Sequence, residues 1–274
     1  MRISVGCELT YDCPQPTPML LTIGLHASRA GDIVTPYRLT TDPPLPVATY
    51  RDGYGNDVTR LVAPAGRTRI RAEAVVRDSG RPDPVLPEAG QHPVQDLPDG
   101  TLLFLLGSRY CETDRLSDAA WQLFGNAPLG WGRVQAICDF VHDRIAFNYA
   151  PARATRTAWE AFEERRGVCR DFAHLAVALC RCMNIPARYC TGYIGDIGVP
   201  VSPDPMDFSG WFEAFLDGDW RTFDARHNTP RIGRVLIAHG RDAADVPISN
   251  SFGANTLAGF QVWTDPVDEP PDPS

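Results

Sequence analysis

Lysine is absent from this chain of 274 residues: all 26 basic residues are arginine, which we interpret as a coding bias. No apolar run approaches the roughly 20 residues that a membrane-spanning helix needs, so we expect no membrane partner. No run of arginines forms a basic patch and the net charge is −8, so we expect no nucleic-acid partner. The apolar and charged fractions are those of a soluble globular protein.

The eight cysteines lack any Cys-x-x-Cys spacing and have no neighbouring pair of histidines. A zinc site is therefore not expected, and the sequence implies no metal or organic cofactor. Too few apolar residues precede Cys7 to make the hydrophobic region of a signal peptide. We expect reduced thiols rather than a disulfide framework, and a cytoplasmic location. The sequence does not indicate the oligomeric state.

Residues 1–105 are predicted to form a β-sandwich-like N-terminal domain. Apolar residues alternate along Ile3–Leu9 and again along Thr68–Val76, as they do in strands with one buried face. Frequent prolines between these runs keep the strands short. Residues 81–100, which contain five prolines, are predicted to be a loop or linker.

Residues 106–264 are predicted to form a second domain that contains both helices and strands. Ser117–Asp118 are predicted to cap a short helix, and two more helices are predicted around Val134–Ile145 and Ala158–Arg165. Strands are predicted at residues 187–193, 210–216, 220–224, 235–238 and 258–263. The segment 265–274, with four prolines and four acidic residues, is predicted to be a disordered tail.

The second domain is organised around a predicted helix that begins near Cys169. Its apolar residues recur at spacings of three and four, namely Phe172, Leu175, Ala176, Leu179 and Met183. Cys169 therefore falls in the first turn, where free backbone N–H groups and the helix dipole favour an anion. Such a position lowers the pKa of a thiol and makes the nucleophilic thiolate more abundant. The alternative is a small buried apolar residue, the usual role of a free cysteine.

Gly167–Ala173 resembles the nucleophile motif of the transglutaminase-like superfamily, in particular of its bacterial members often called cysteine proteases. Ile185–Tyr189 and the stretches Trp211–Phe215 and Phe223–Asp224 resemble its later motifs. The resemblance implies an α+β fold in which helices pack on an antiparallel sheet, as in papain, with a Cys–His–Asp triad. In such a triad the thiolate attacks an amide or ester carbonyl, the histidine transfers protons, and the aspartate fixes the histidine tautomer.

The histidine of this triad is missing from its expected position. Cys169 and Asp224 match the superfamily pattern, but Ser209 stands where the histidine is expected, and serine is not a base near neutral pH. Three interpretations stay open. His227 substitutes as the base, or Cys169 acts without a base beside the helix end and a nearby arginine, or the domain is a non-catalytic peptide-binding module.

Three histidines can be compared as candidates for the substitute base. His227 follows Asp224 by three residues and so leaves the strand close to the candidate site, although it could equally be an exposed loop residue. Asp224 could in turn simply close its strand. His174 lies five residues along the helix from Cys169 and points away at about 100° per residue, so we reject it. His239 follows another strand and is a weaker candidate.

Together these observations predict a thiol enzyme that acts on an amide bond of a peptide or protein through Cys169. We favour hydrolysis over cross-linking, because nothing in the chain identifies a site for an acceptor amine. The opposing expectation is a catalytically inactive peptide-binding domain, and it rests on Ser209.

Overall fold

The computed structural model describes residues 1–203 and 205–267. The first part of the chain forms six strands: β1 (Arg2–Cys13), β2 (Thr17–Leu21), β3 (Ile33–Asp42), β4 (Ala48–Arg51), β5 (Asp57–Ala63) and β6 (Gly66–Arg77). Ile3, Val5 and Leu9 of β1 are buried, while Arg2 and Ser4 stay partly exposed. The alternation predicted for this strand is therefore confirmed.

The described residues form five α-helices after these strands: α1 (Asp99–Leu102), α2 (Thr113–Phe124), α3 (Trp131–Arg144), α4 (Ala158–Glu164) and α5 (Cys169–Cys182). The predicted cap at Ser117–Asp118 is wrong, because both residues lie inside α2. The buried face of α2 starts at Leu116, so the helix has to begin before that residue to present it to the core. Within the described ranges, no helix is long and apolar enough to cross a bilayer.

The remaining strands are β7 (Ala146–Phe147), β8 (Arg166–Gly167), β9 (Ala187–Tyr193), β10 (Ser209–Leu216), β11 (Asp219–Phe223), β12 (Val235–Gly240), β13 (Ser249–Ser251) and β14 (Thr256–Val267). β7 and β8 form a short parallel pair, and an antiparallel sheet has the order β11-β10-β9-β12. Asp217 and Gly218 connect β10 to β11 with φ angles of 51° and 76°. Positive φ at both positions suits a two-residue hairpin, which confirms the predicted turn.

The end of the described chain returns to the N-terminal strands. Two further antiparallel sheets have the orders β14-β1-β6-β3 and β13-β2-β5-β4. Residues 265–267, which composition predicts to be disordered, instead form the end of β14, because pairing with β1 fixes them. Residues 268–274 of that predicted tail lie outside the described residues. The division between residues 105 and 106 stays a prediction, and β13 and β14 belong by pairing to the first part of the chain.

Helix α5 lies between two hydrophobic clusters. Phe172 belongs to a cluster with α2, α3 and β10, and Ala173 belongs to one shared with the N-terminal sheets, β9 and β12. Leu175 and Leu179 are fully buried, and burial of each such side chain contributes about 1.5–3 kcal/mol. This packing holds the start of α5 in place from two sides. The predicted mixed fold of helices on antiparallel sheets is confirmed.

Candidate active site

Cys169 is the first residue of α5, in the turn where the sequence places it. Val168 before it has an extended backbone, which is usual for the residue that precedes a helix. The Asp171 carboxylate accepts a hydrogen bond from the Val168 N–H at 3.0 Å and satisfies a donor that the helix itself cannot satisfy. The start of the helix is therefore fixed by its own third residue.

Asp171 also anchors this helix end to a buried arginine. Its Oδ2 accepts a hydrogen bond from Nη1 of Arg156 at 3.0 Å, and both side chains are completely buried. Arg170 Nη2 lies 3.3 Å from the other carboxylate oxygen. Gly167 is needed beside this group, because a Cβ there would lie 2.6 Å from the Asp171 Cβ. Asp171 is thus a structural ion-pair partner in addition to a first-turn carboxylate.

Cys169 lines a groove of about 430 Å³, and 9% of the residue's surface is exposed. Its Sγ lies 3.9 Å from the carbonyl oxygen of Phe208, and the N–H of Gly210 donates a hydrogen bond to it. The thiol is therefore enclosed by the start of β10, yet it is not sealed in the core. Cys169 is thus a buried cysteine that also lines a groove.

The pKa of Cys169 departs from the sequence-based expectation. Burial raises the pKa of the thiol above its ordinary value, and the carboxylates of Asp207 and Asp224 raise it further. The charge of Arg226 and the hydrogen bond from Gly210 lower it, without reversing the rise. The predicted lowering of this pKa is therefore wrong, because loss of solvent outweighs the favourable helix end.

Asp224 and His227 are joined directly. Asp224 follows the last residue of β11, and its Oδ2 accepts a hydrogen bond from Nδ1 of His227 at 2.8 Å. Its Oδ1 accepts hydrogen bonds from the backbone N–H groups of Arg226 and His227, each at 3.1 Å. Asp224 thus both closes the strand with a tight turn and orients the imidazole through that turn. His227 is partly buried rather than a freely exposed loop residue.

Arg234 shares the Asp224 carboxylate with His227. Both terminal nitrogens of Arg234 lie 3.3 Å from Asp224 Oδ2, and the same guanidinium also binds Asp83 at 2.9 Å. Burial alone would raise the pKa of Asp224, but the His227 hydrogen bond and the Arg234 charge outweigh burial and hold that pKa below its ordinary value. Asp224 is therefore an ionised carboxylate that can only accept from the His227 ring.

Ser209 borders the same small cavity as His227. This cavity, about 60 Å³, is also lined by Asp207 and Phe208, and both of those residues line the larger groove that contains Cys169 as well. Ser209 and His227 therefore line one cavity, and Asp207 and Phe208 lie between that cavity and the groove that contains the thiol. Among the described residues, no hydrogen bond joins Cys169 to His227.

The other histidines near this region make contacts elsewhere. His174 is buried, accepts a hydrogen bond from Ala243 N–H and stacks on a tyrosine ring, so it does not reach the thiol. His239 lies beside Asn56 and Arg188. His142 Nδ1 donates to the Arg226 carbonyl at 2.9 Å and so supports the loop that carries His227, a role that helix periodicity alone does not reveal.

Three aromatic residues of β9 and β10 are core residues: Tyr193, Trp211 and Phe212 are 1%, 2% and 0% exposed. Within residues 1–203 and 205–267, no group of three or more histidine, cysteine or acidic side chains is arranged to hold a metal ion.

The comparison with protein families gives one match over the central part of the chain. A family model described as the transglutaminase-like superfamily matches residues 121–225. The matched range contains Cys169, Ser209 and Asp224 and ends before His227. The candidate base therefore lies outside the segment that the family pattern describes.

One solved structure extends the likeness to the whole chain, and sequence relatives cover parts of it. A crystal structure named "Putative Cysteine Protease from Cytophaga hutchinsonii" has 30% sequence identity and a TM-score of 0.84, and the match covers 100% of this chain and 93% of that one. An uncharacterized protein of Mycobacterium leprae is 32% identical over 160 residues, which is 49% of this chain and 57% of that protein. An uncharacterized protein of Mycobacterium tuberculosis is 27% identical over 238 residues, or 77% of this chain and 74% of that protein.

Proposed function

The chain belongs to the transglutaminase-like superfamily, and we propose that it is a thiol enzyme that acts on amide bonds through Cys169. His227 serves as the general base and general acid, and Asp224 orients its imidazole. The name of the similar Cytophaga hutchinsonii protein supports a peptidase or amidase over other thiol chemistry.

The observation that carries this proposal is the hydrogen bond between His227 and Asp224 beside Ser209. The superfamily pattern expects a histidine at position 209, on β10. Here Ser209 lines one cavity together with His227, which the loop after β11 carries. The imidazole is thus supplied by that loop rather than by β10, and its hydrogen bond to Asp224 fixes the tautomer.

The reaction runs in two halves. In the first, the Cys169 proton passes to His227 Nε2, the sulfur bonds to the carbonyl carbon, and the C–N bond breaks as the leaving amine takes that proton. In the second, His227 takes a proton from water, the hydroxide attacks the thioester, and the acid is released as the thiol recovers its proton. The raised pKa of Cys169 makes the neutral thiol the resting form, so proton removal is coupled to attack.

Hydrolysis of a peptide or protein amide is the reaction we propose, rather than transfer to an amine. All eight cysteines are free, which supports a reducing compartment such as the cytoplasm. No cofactor is required for either half of the reaction.

A second candidate function is a catalytically inactive peptide-binding domain. It is favoured by the raised pKa of Cys169 and by the lack of a hydrogen bond between that thiol and His227 among the described residues. In that case the groove binds a peptide and the cysteine makes no covalent bond.

Acylation by p-nitrophenyl acetate distinguishes the two candidates. The active enzyme gives a burst of nitrophenolate and a gain of one acetyl group on the tryptic peptide Gly167–Arg170, which separates Cys169 from the other cysteines. The burst is absent in Cys169→Ala, and its rate falls by about 10²–10⁴-fold in His227→Ala, the usual loss for a missing general base. Cys182→Ala is the matched control and keeps the burst.

Acetylation that is equal in the wild type and His227→Ala would exclude His227 as the base. No acetylation of Cys169 at all would favour the peptide-binding domain.

A further inference from the structure

One wall of the groove beside Cys169 is built by the N-terminal sheet rather than by the superfamily core. Leu9 and Tyr11 of β1 and Leu257 and Phe260 of β14 line the groove together with Cys169. All four of these side chains are apolar or aromatic, and they come from the two strands that pair at the start and end of the chain. Leu9 and Tyr11 are themselves 1% and 4% exposed, so this sheet offers its accessible surface through the β14 side chains.

A β-bulge brings the two β14 side chains to this wall. Thr10 pairs with Gly259 but Tyr11 pairs with Leu257, so Ala258 is an extra residue without an opposite partner. Side chains alternate between the two faces of a strand, and residues three apart would normally lie on opposite faces. The extra residue resets this alternation, so that Leu257 and Phe260 point to the same side as Tyr11 and Leu9. Bulges often re-aim side chains next to active sites.

Both β14 side chains are open to an incoming molecule and close to the thiol. Leu257 is 49% exposed and Phe260 is 45% exposed. The Phe260 ring packs edge-on against Phe208 with 5.9 Å between ring centroids, and the Phe208 carbonyl lies 3.9 Å from the Cys169 Sγ. Phe260 therefore contacts the residue whose carbonyl oxygen lies beside the sulfur.

The arginines at this groove already have partners of their own. Arg153 Nη2 lies 2.6 Å from Glu164 Oε1. Arg170 Nη2 donates to the Arg153 carbonyl at 2.6 Å and lies 3.3 Å from Asp171. An acidic substrate group would have to displace these contacts, whereas an apolar side chain loses solvent against Leu257 and Phe260 without displacing any.

From this geometry we infer that Leu257 and Phe260, which lie on the same face as the buried Leu9 and Tyr11, form a specificity subsite for a large aliphatic or aromatic side chain of the substrate. The substrate is a peptide whose reacting carbonyl lies at Cys169 while an apolar side chain close to it packs on β14. The N-terminal sheet is thus part of the substrate-binding site. This inference rests on the proposed function, because it assumes that a substrate reacts at Cys169.

Thiol-reactive peptides test the subsite without requiring complete turnover. Two peptidyl chloromethyl ketones are compared, identical except that one carries phenylalanine and the other glycine next to the reactive group. The wild type is expected to be labelled at Cys169 at least about 10-fold faster by the phenylalanine probe, the lower end of discrimination by an apolar pocket. Phe260→Ser and Leu257→Ser are each expected to reduce this ratio severalfold. Phe252→Ser, which changes a phenylalanine outside the groove that is 58% exposed, keeps the ratio.

A wild type that labels equally with both probes, or a ratio that Phe260→Ser leaves unchanged, would overturn the subsite. Failure of the proposed function looks different, because then p-nitrophenyl acetate does not acylate Cys169 in any variant.

Discussion

Asp224 Oδ2 lies 2.8 Å from His227 Nδ1 and 3.3 Å from each terminal nitrogen of Arg234. One buried carboxylate oxygen therefore serves both the candidate base and a buried cation. Arg234 in turn lies 2.9 Å from Asp83, a residue of the loop between β6 and α1. The position of the candidate base thus depends on a charge network that joins distant parts of the chain.

Replacing Arg234 by methionine is expected to destabilise the protein. The change leaves Asp224 and Asp83 without their shared cation, and removing one partner of a buried ion pair costs about 3–5 kcal/mol. Urea unfolding of the variant and the wild type measures the difference. In an Asp224→Asn background the same Arg234→Met change is expected to cost less, because one of the abandoned charges is already gone. An equal cost in both backgrounds would contradict the shared network.

The same carboxylate predicts how stability depends on pH. The pKa of Asp224 is held low in the folded protein, against burial, by His227 and Arg234. A group whose pKa is lower in the folded than in the unfolded state stabilises the fold above its unfolded pKa of about 3.9 and loses that contribution as the pH falls toward the folded value. The stability difference between the wild type and Asp224→Asn should be constant from pH 7 to about 5 and shrink below about pH 4. Urea unfolding at these pH values measures it, and a difference that grows on acidification would show the opposite sign.

Alkylation of Cys169 by iodoacetamide should follow a raised pKa. Burial is the first cause of the raised pKa and makes the thiolate scarce at neutral pH. The pH at which the alkylation rate reaches half its maximum is therefore expected above the ordinary thiol pKa of about 8.5. Arg226→Gln is expected to move the midpoint up and Asp207→Asn to move it down, each by about one pH unit or less. Carbamidomethylation of the tryptic peptide Gly167–Arg170 gives the rate at this cysteine alone. A midpoint below 8 in the wild type would restore the poised thiolate that the helix end by itself predicts.

Local patterns predicted the elements that carry the candidate site. The periodicity after Cys169 gives α5, and the apolar runs around Asp217–Gly218 give the β10–β11 hairpin, because both signals lie within a few neighbouring residues. The sequence also indicated that His227 leaves its strand near Asp224. These predictions depend on short-range geometry, which the chain encodes locally.

Long-range contacts could not be predicted from such patterns. Asp83 and Arg234 are 151 residues apart, and neither has a sequence signal that points to the other. The bulge at Ala258 becomes visible only once β14 is paired with β1. The sign of the shift in the Cys169 pKa was predicted wrongly for a related reason: the helix end is a local feature, whereas the burial that outweighs it comes from strands distant in sequence.

The relation between Ser209 and His227 yields the sharpest prediction about catalysis. If His227 replaces the histidine that the superfamily pattern expects at position 209, then Ser209→His should restore acylation to the inactive His227→Ala variant. In the double variant the new imidazole lies at the start of β10, between Phe208 and Gly210, which contact the sulfur. It is expected to replace His227 as the hydrogen-bond partner of Asp224. The burst rate with p-nitrophenyl acetate is expected to recover by about 10²-fold or more over His227→Ala.

Ser209→Asn with His227→Ala is the matched control, since an amide fills similar space without accepting a proton, and it should stay inactive. Recovery in both double variants would mean that filling the cavity matters rather than proton transfer, and recovery in neither would mean that the two positions do not share one role.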